Sequence, residues 1–268
     1  MEYYDSSLNS ATPKNQQFES FQLILIIGCL LVVATSAVAI QRFDLVVLRF
    51  LEGYWPPWMH FLRYWCIQRQ RQQLNQAEKC WQVLAAKKAQ QNLTANELNE
   101  FVALDKQLMQ APSQLNRLMP TRLGNILRAA ENRSLDKYGL DAVICWPRLW
   151  LILPDGVKKE VQEARTELNT AARAWLWSLL FLIWVMWAWW AIPISLLSSL
   201  FAYHWMLAAA ITYGEMVEST FDLHRIALYQ SLRWPLPESP AEEHQLGFLL
   251  TEYLWRGSDK EQPKFTKS

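Results

Sequence analysis

Apolar positions gather along the chain into blocks. Residues 21–40 read FQLILIIGCLLVVATSAVAI, without a charge, and about 20 residues at 1.5 Å rise each cross a hydrocarbon core. A second block runs from 174 to 213 with no Asp, Glu, Lys or Arg. As one helix it exceeds any bilayer, so Pro193 within it predicts a tight hairpin between spans 174–192 and 194–213. Trp175 and Trp177 at one end of the first leg, and Trp187, Trp189 and Trp190 at the other, fit the two membrane interfaces, with Trp184 between them. Ala37-Val38-Ala39 also resembles a signal-peptide cleavage site. The late start, net acidic upstream residues and long apolar run favour a retained span instead.

Between these blocks the period shifts to amphipathic helices. Phe43, Val46, Val47, Phe50, Leu51 and Tyr54 share a helical face, ended by Gly53 and Pro56-Pro57, and Trp58, Phe61, Leu62 and Trp65 repeat the pattern. Two short helices are expected, lying in the membrane interface or packed on the rest of the domain. Ile67, Leu74 and Trp81 keep seven-residue spacing with Ala77 and Leu84 between, and Thr94 with Glu97 forms a capping box before a helix over 95–110, closed by Pro112. These predict an antiparallel helical pair over 66–110. Val157, Val161, Ala164, Leu168, Ala171 and Trp175 form a further stripe behind a cap at Asp155, continuing into the second span. Val217, Phe221, His224 and Leu228 extend the third span toward Pro235, so 194–234 predicts a helix of about 60 Å. The hairpin then continues as a stalk, with the 66–110 pair available to pack on it.

The expected fold is all-α: an integral membrane protein with three transmembrane helices and a helical cytoplasmic domain continuous with the hairpin. The divisions are a tail over 1–20, spans at 21–40, 174–192 and 194–213, interfacial helices over 41–65, a cytoplasmic domain over 66–173, a helical extension over 214–237 and a C-terminal tail over 238–268. That tail holds one apolar run, 246–255, and a charged end expected to be disordered.

Charge sets the orientation. A formal net charge of +1 hides an excess of Lys and Arg between residues 42 and 173. Arg42 and Arg49 follow the first span and Lys158, Lys159, Arg165 and Arg173 precede the second, whereas the N-terminal tail has only Lys14 and the Pro193 turn has none. The N-terminus is expected outside, and the large loop and C-terminus in the cytoplasm. Sequons at Asn92 and Asn132 then face the cytoplasm and read as chance. No segment is basic enough for nucleic acid, and there is no glycine-rich phosphate loop. Cys29, Cys66, Cys80 and Cys145 lack CxxC spacing, so isolated thiols are expected rather than zinc or disulfides.

Candidate chemistry is sparse. His204 falls near the middle of the third span beside Tyr203 and close to Ser198 and Ser199. Ionisable groups at that depth are costly, so these four residues are a possible intramembrane polar site, set against a histidine satisfied by a neighbouring helix. Ser198, Ala202, Ala210 and Gly214 form a small-residue face for helix packing. Glu215, Glu218, Asp222 and Arg225 share a side, but Phe221 stands where a Glu-x-x-His motif needs histidine, so an ion-paired face is expected. Neither Gly-x-Ser-x-Gly nor His-Glu-x-x-His occurs. No catalytic residue, metal or cofactor is nominated.

The least generic stretch, 120–154, reads PTRLGNILRAAENRSLDKYGLDAVICWPRLWLILP. Its second half is too short to cross a membrane and suits an interfacial or re-entrant stretch or a buried strand. The chain here resembles a group of uncharacterised bacterial membrane proteins carrying PTRLGN, YGLDAV and WPRLW in this order, then a membrane hairpin and an FDLHR-like stretch. The matching pieces are 120–125, 138–143, 146–150 and 221–225, within 118–237. The resemblance implies a bacterial membrane protein and carries over no activity and no functional residue. Arg122, Arg128 and Arg148 with Glu131 and Asp141 are a candidate cluster, either for lipid phosphates or as ion pairs that fix the domain to the stalk.

The expected function is a non-enzymatic, membrane-anchored structural or interaction protein whose helical domain binds a protein partner or a second copy. The alternative is one subunit of an oligomeric pore or transport complex, and a weaker one is an enzyme acting on lipid. Expected partners are the lipid bilayer and a protein or second copy, with no nucleic acid.

Overall fold

A computed structural model describes residues 21–28, 30–31, 35–36, 42–257 and 263–265. The rest of the first expected span, the tail over 1–20 and most of the charged C-terminal end lie outside the described residues. The chain divides into two units, residues 1–45 and 46–268. In the first, 21–28, 30–31 and 35–36 are helical, with exposed apolar side chains such as Ile24 and Leu30.

Among the described residues the protein is all-α, with no strand. Its helices are α1 (Asp44–Glu52), α2 (His60–Ala89), α3 (Ala95–Met109), α4 (Arg122–Tyr138), α5 (Ala142–Ile152), α6 (Asp155–Leu180), α7 (Ala191–Ser231) and α8 (Pro240–Arg256). Among the described residues two stretches are long and apolar enough to cross a membrane: Asp155–Met186, where α6 tightens into a 3-10 helix over Phe181–Met186, and Ala191–Ser231. Only 17% and 33% of their apolar windows are buried in the chain, unlike the core helices of a water-soluble protein.

Several expectations change. The second short interfacial helix merges into α2, because no glycine or proline interrupts the chain between His60 and Ala89. The hairpin turns at 187–190 rather than at Pro193, which sits in the first turn of α7. There a missing N–H costs nothing, since the first amides of a helix have no intrahelical partner. The stretch expected to be re-entrant or a strand is α5, with Pro147 inside it. Asp141 caps that helix by accepting from Val143 N at 2.8 Å. Pro147 lacks a donor for the preceding turn, where Arg148 donates to Ile144 O at 2.6 Å. The apolar run over 246–255 belongs to α8, capped by Ser239 with Pro240 at its first position.

Packing follows from the stripes. Helices α6 and α7 lie antiparallel, their register set near the turn by Ser195 Oγ donating to Ser178 O at 2.6 Å. What rests on the stalk is α4: a Cβ on Gly214 would stand 2.9 Å from that of Ala130. One core joins Leu48, Leu51, Leu123, Leu168 and Met206, and a second joins Leu140, Leu149, Phe221, Trp234 and Leu250. Each such side chain contributes about 1.5–3 kcal/mol by leaving water.

The α2–α3 pair forms an arm. The capping box of Thr94 and Glu97 is formed, and Lys87 Nζ meets Glu97 at 2.6 Å. Trp81 stacks on Phe101, ring centroids 5.7 Å apart, and donates to Asp105 at 3.1 Å. Leu74, Ala77 and Leu84, three of the predicted stripe positions, are buried.

Candidate functional site

The sequence pieces that looked least generic meet one another. In PTRLGN, Pro120 covers Gly53, whose φ of +102° admits few other residues. Thr121 caps α4 by accepting from Gly124 N at 3.0 Å while its hydroxyl donates to Glu52 O at 2.9 Å. Asn125 accepts from Met119 N at 2.7 Å and donates to Gln70 at 3.2 Å. In YGLDAV, Tyr138 donates to Asp222 at 2.6 Å, and Gly139 ends α4 in the left-handed conformation against His244 O. Trp146 of WPRLW meets Phe221, ring centroids 5.9 Å apart. Arg225 of FDLHR pairs with Glu243 at 2.7 Å and lies 4.2 Å from the Tyr138 ring centroid. Glu218 takes Lys137 at 2.7 Å together with Arg133. These pairs bind α4 and α8 to the α7 stalk.

Three cavities adjoin this junction. A groove of about 570 Å³ is walled by Trp146, Trp150, Leu151 and Val161. It shares Trp146, Pro147, Arg165 and Tyr213 with a cavity of about 180 Å³ that also holds Glu52 and Glu131. Arg165 lies 5.3 Å from the Tyr213 ring centroid. Burial pushes the Glu52 carboxyl above its ordinary value, opposed by Arg165. Burial also raises Glu131, opposed by Arg128 and reinforced by Asp141. Glu131 and Val143 in turn line a third, polar cavity of about 360 Å³ bounded by Arg63, Arg117, Arg128 and Asn132. Sequence reading missed Glu52, Arg63, Arg117 and Arg165 as site residues, because nothing local in their surroundings sets them apart.

The arginine cluster expected from sequence divides. Arg128, Glu131 and Asp141 line the polar cavity, with Arg128 and Glu131 3.4 Å apart. Arg122 instead donates to Gln110 at 3.3 Å, and Arg148 is spent on the Ile144 carbonyl of its own helix. Of the intramembrane candidates, His204 is exposed, Tyr203 packs on the first core, and Ser198 and Ser199 donate to Ile194 O and Leu196 O of their own helix. The structure therefore does not join the four into one hydrogen-bonded group.

Cys145 is fully buried beside Thr251, and burial pushes its thiol up to about 11; it is no nucleophile at neutral pH. Among the described residues no three His, Cys, Asp or Glu side chains converge as metal ligands. Comparison of the chain with protein-family models, with curated proteins and with solved structures finds no match.

Proposed function

We propose that this is a non-enzymatic, membrane-anchored interaction protein, held in a bacterial cytoplasmic membrane by the apolar hairpin and by a span over 21–40. Its N-terminus lies outside, and its helical domain offers the α2–α3 arm to a protein partner or a second copy. The observation that carries the reading is apolar exposure on both helices of the arm. Leu98 and Val102, one turn apart on α3, and Val83 on α2 are all exposed although the arm has an inner apolar stripe of its own. Exposed apolar side chains on a helical pair suit a helix-in-groove or helix-on-helix contact.

A photo-crosslinking residue at Val102, with the full chain in its membrane, tests this. The expected result is a discrete adduct, at twice the chain's mass for a second copy or at another defined mass for a partner. That adduct should be lost in Leu98→Ser. Absence of any discrete adduct at Val102 and at Val83 overturns the reading.

The pore alternative draws on one observation, the exposed position of His204 on α7. In a ring of copies that imidazole would face a neighbour or the lumen. Bilayer conductance by the purified protein, lost on His204→Ala, is the result that reading requires.

A further inference from the structure

We propose that the polar cavity between α2, α4 and the loop before α4 is a binding site for a phosphate group, supplied by a lipid headgroup or by a free phosphate compound. Three guanidinium groups from separate segments border it: Arg63 at the start of α2, Arg117 in the loop and Arg128 on α4. Planar guanidinium forks suit the tetrahedral oxygens of phosphate better than any other side chain does.

The cavity is built and not merely lined. Asn132 is 8% exposed and accepts from Arg117 at 3.1 Å through Oδ1, which leaves its amide hydrogens for another acceptor. That buried nitrogen has no hydrogen-bond partner among the described residues, and neither has the buried Nε of Arg63. Donors left without acceptors in a buried site carry a desolvation penalty that an oxyanion relieves. A tyrosine further orients the third arginine, since Arg128 donates to Tyr54 Oη at 2.8 Å.

Two carboxylates border the same space. Asp141 is engaged in capping α5, and Glu131 pairs with Arg128. Three guanidinium groups against these two leave the cavity cationic, and Glu131 is the competitor that an incoming phosphate displaces from Arg128. On α2, Phe61, Leu62, Tyr64 and Trp65, next to Arg63 in sequence, are exposed. An apolar and aromatic fringe next to a cationic pocket is the arrangement in which a bilayer presents its phosphates.

The test uses the full chain in detergent, with phosphatidic acid in mixed micelles and inorganic phosphate as the two probes. Wild-type protein should retain phosphatidic acid, and the double variant Arg63→Gln/Arg117→Gln should lose at least about tenfold in affinity, as expected when charge-assisted hydrogen bonds are removed. Glu131→Gln should gain affinity, an outcome that a misfolded variant cannot imitate. Competition by inorganic phosphate separates the two sources: effective competition marks a soluble phosphate compound, and none marks a lipid. The proposal is overturned if neither probe binds, if the double variant binds as wild type does, or if Glu131→Gln brings no gain.

Discussion

The indole of Trp205 donates to the carboxylate of Glu167 across 3.2 Å. A charge on the helix entering the hairpin therefore stands beside a residue near the middle of the expected span 194–213. Arg173 lies between Glu167 and the turn, so the charge-free part of the entering leg is 174–186. As α-helix and then 3-10 helix it rises about 22 Å, less than the roughly 30 Å of a hydrocarbon core.

On the proposed membrane anchoring, so short a hairpin favours a thin bilayer, with Arg173 reaching toward the headgroups. In vesicles of dimyristoleoyl phosphatidylcholine the protein should unfold at a higher temperature than in dieicosenoyl phosphatidylcholine, read by loss of helicity. Equal midpoints contradict so short a span.

The Tyr138 phenol, half-buried against the stalk, donates to Asp222 and carries Arg225 on its ring. Tyr138→Phe removes a hydrogen bond to a carboxylate and should cost about 1–2 kcal/mol. Tyr138→Leu also loses the ring and should cost more. Denaturant unfolding of the full chain in detergent measures both.

Glycine substitutions should separate sharply. A Cβ at Gly124 would stand 2.0 Å from the Glu52 carbonyl oxygen, so α1 and α4 cannot both keep their places, whereas Gly156 faces open space. Gly124→Ala should abolish the native melting transition. Gly156→Ala, near the start of α6, should leave stability unchanged or raise it by up to about 1 kcal/mol.

Acid sensitivity follows from Glu218. Burial alone would raise its carboxyl, but hydrogen bonds from Lys137 and Arg133 outweigh this and hold it below its ordinary 4.5. The stabilisation is then fully present above that value and is lost as pH falls through the lower folded-state value. Glu218→Gln should lower stability at pH 7 and remove this part of the acid dependence. Glu52 and Glu131, raised by burial, act in the opposite sense. Their contribution is present in acid and lost as pH rises through their folded values, so Glu131→Gln should stabilise the protein at pH 7.

Thiol reactivity gives a further check. Cys80 is exposed, whereas Cys145 is buried with its thiol pushed up to about 11. In single-cysteine versions at neutral pH, a maleimide should label Cys80 at once and Cys145 only after unfolding. Rapid labelling of native Cys145 contradicts its burial against Thr251.

Much of the helical architecture is legible in the sequence because amphipathic period and caps are local signals. The stripe of Leu74, Ala77 and Leu84, the Thr94 capping box, Gly139 as a helix stop and the length of α7 can all be read directly. The hairpin turn is misplaced by sequence because proline marks a turn strongly yet is tolerated in a first helical turn. Pro147 conceals α5 in a similar way. The polar cavity is only partly legible. Arg128, Glu131 and Asp141 lie close together along the chain, but Arg63 and Arg117 arrive from other segments through contacts that no periodicity records. That α4, and not the arm, lies along the stalk depends on Gly214 and Ala130 approaching closely, which composition suggests only as a small-residue face.

Every functional reading depends on the apolar hairpin being held in lipid, and alkaline carbonate extraction of membranes containing the full chain tests this most directly. The chain should remain in the membrane pellet and enter solution only with detergent. Recovery of the intact chain in the carbonate supernatant would contradict the anchor and everything built on it.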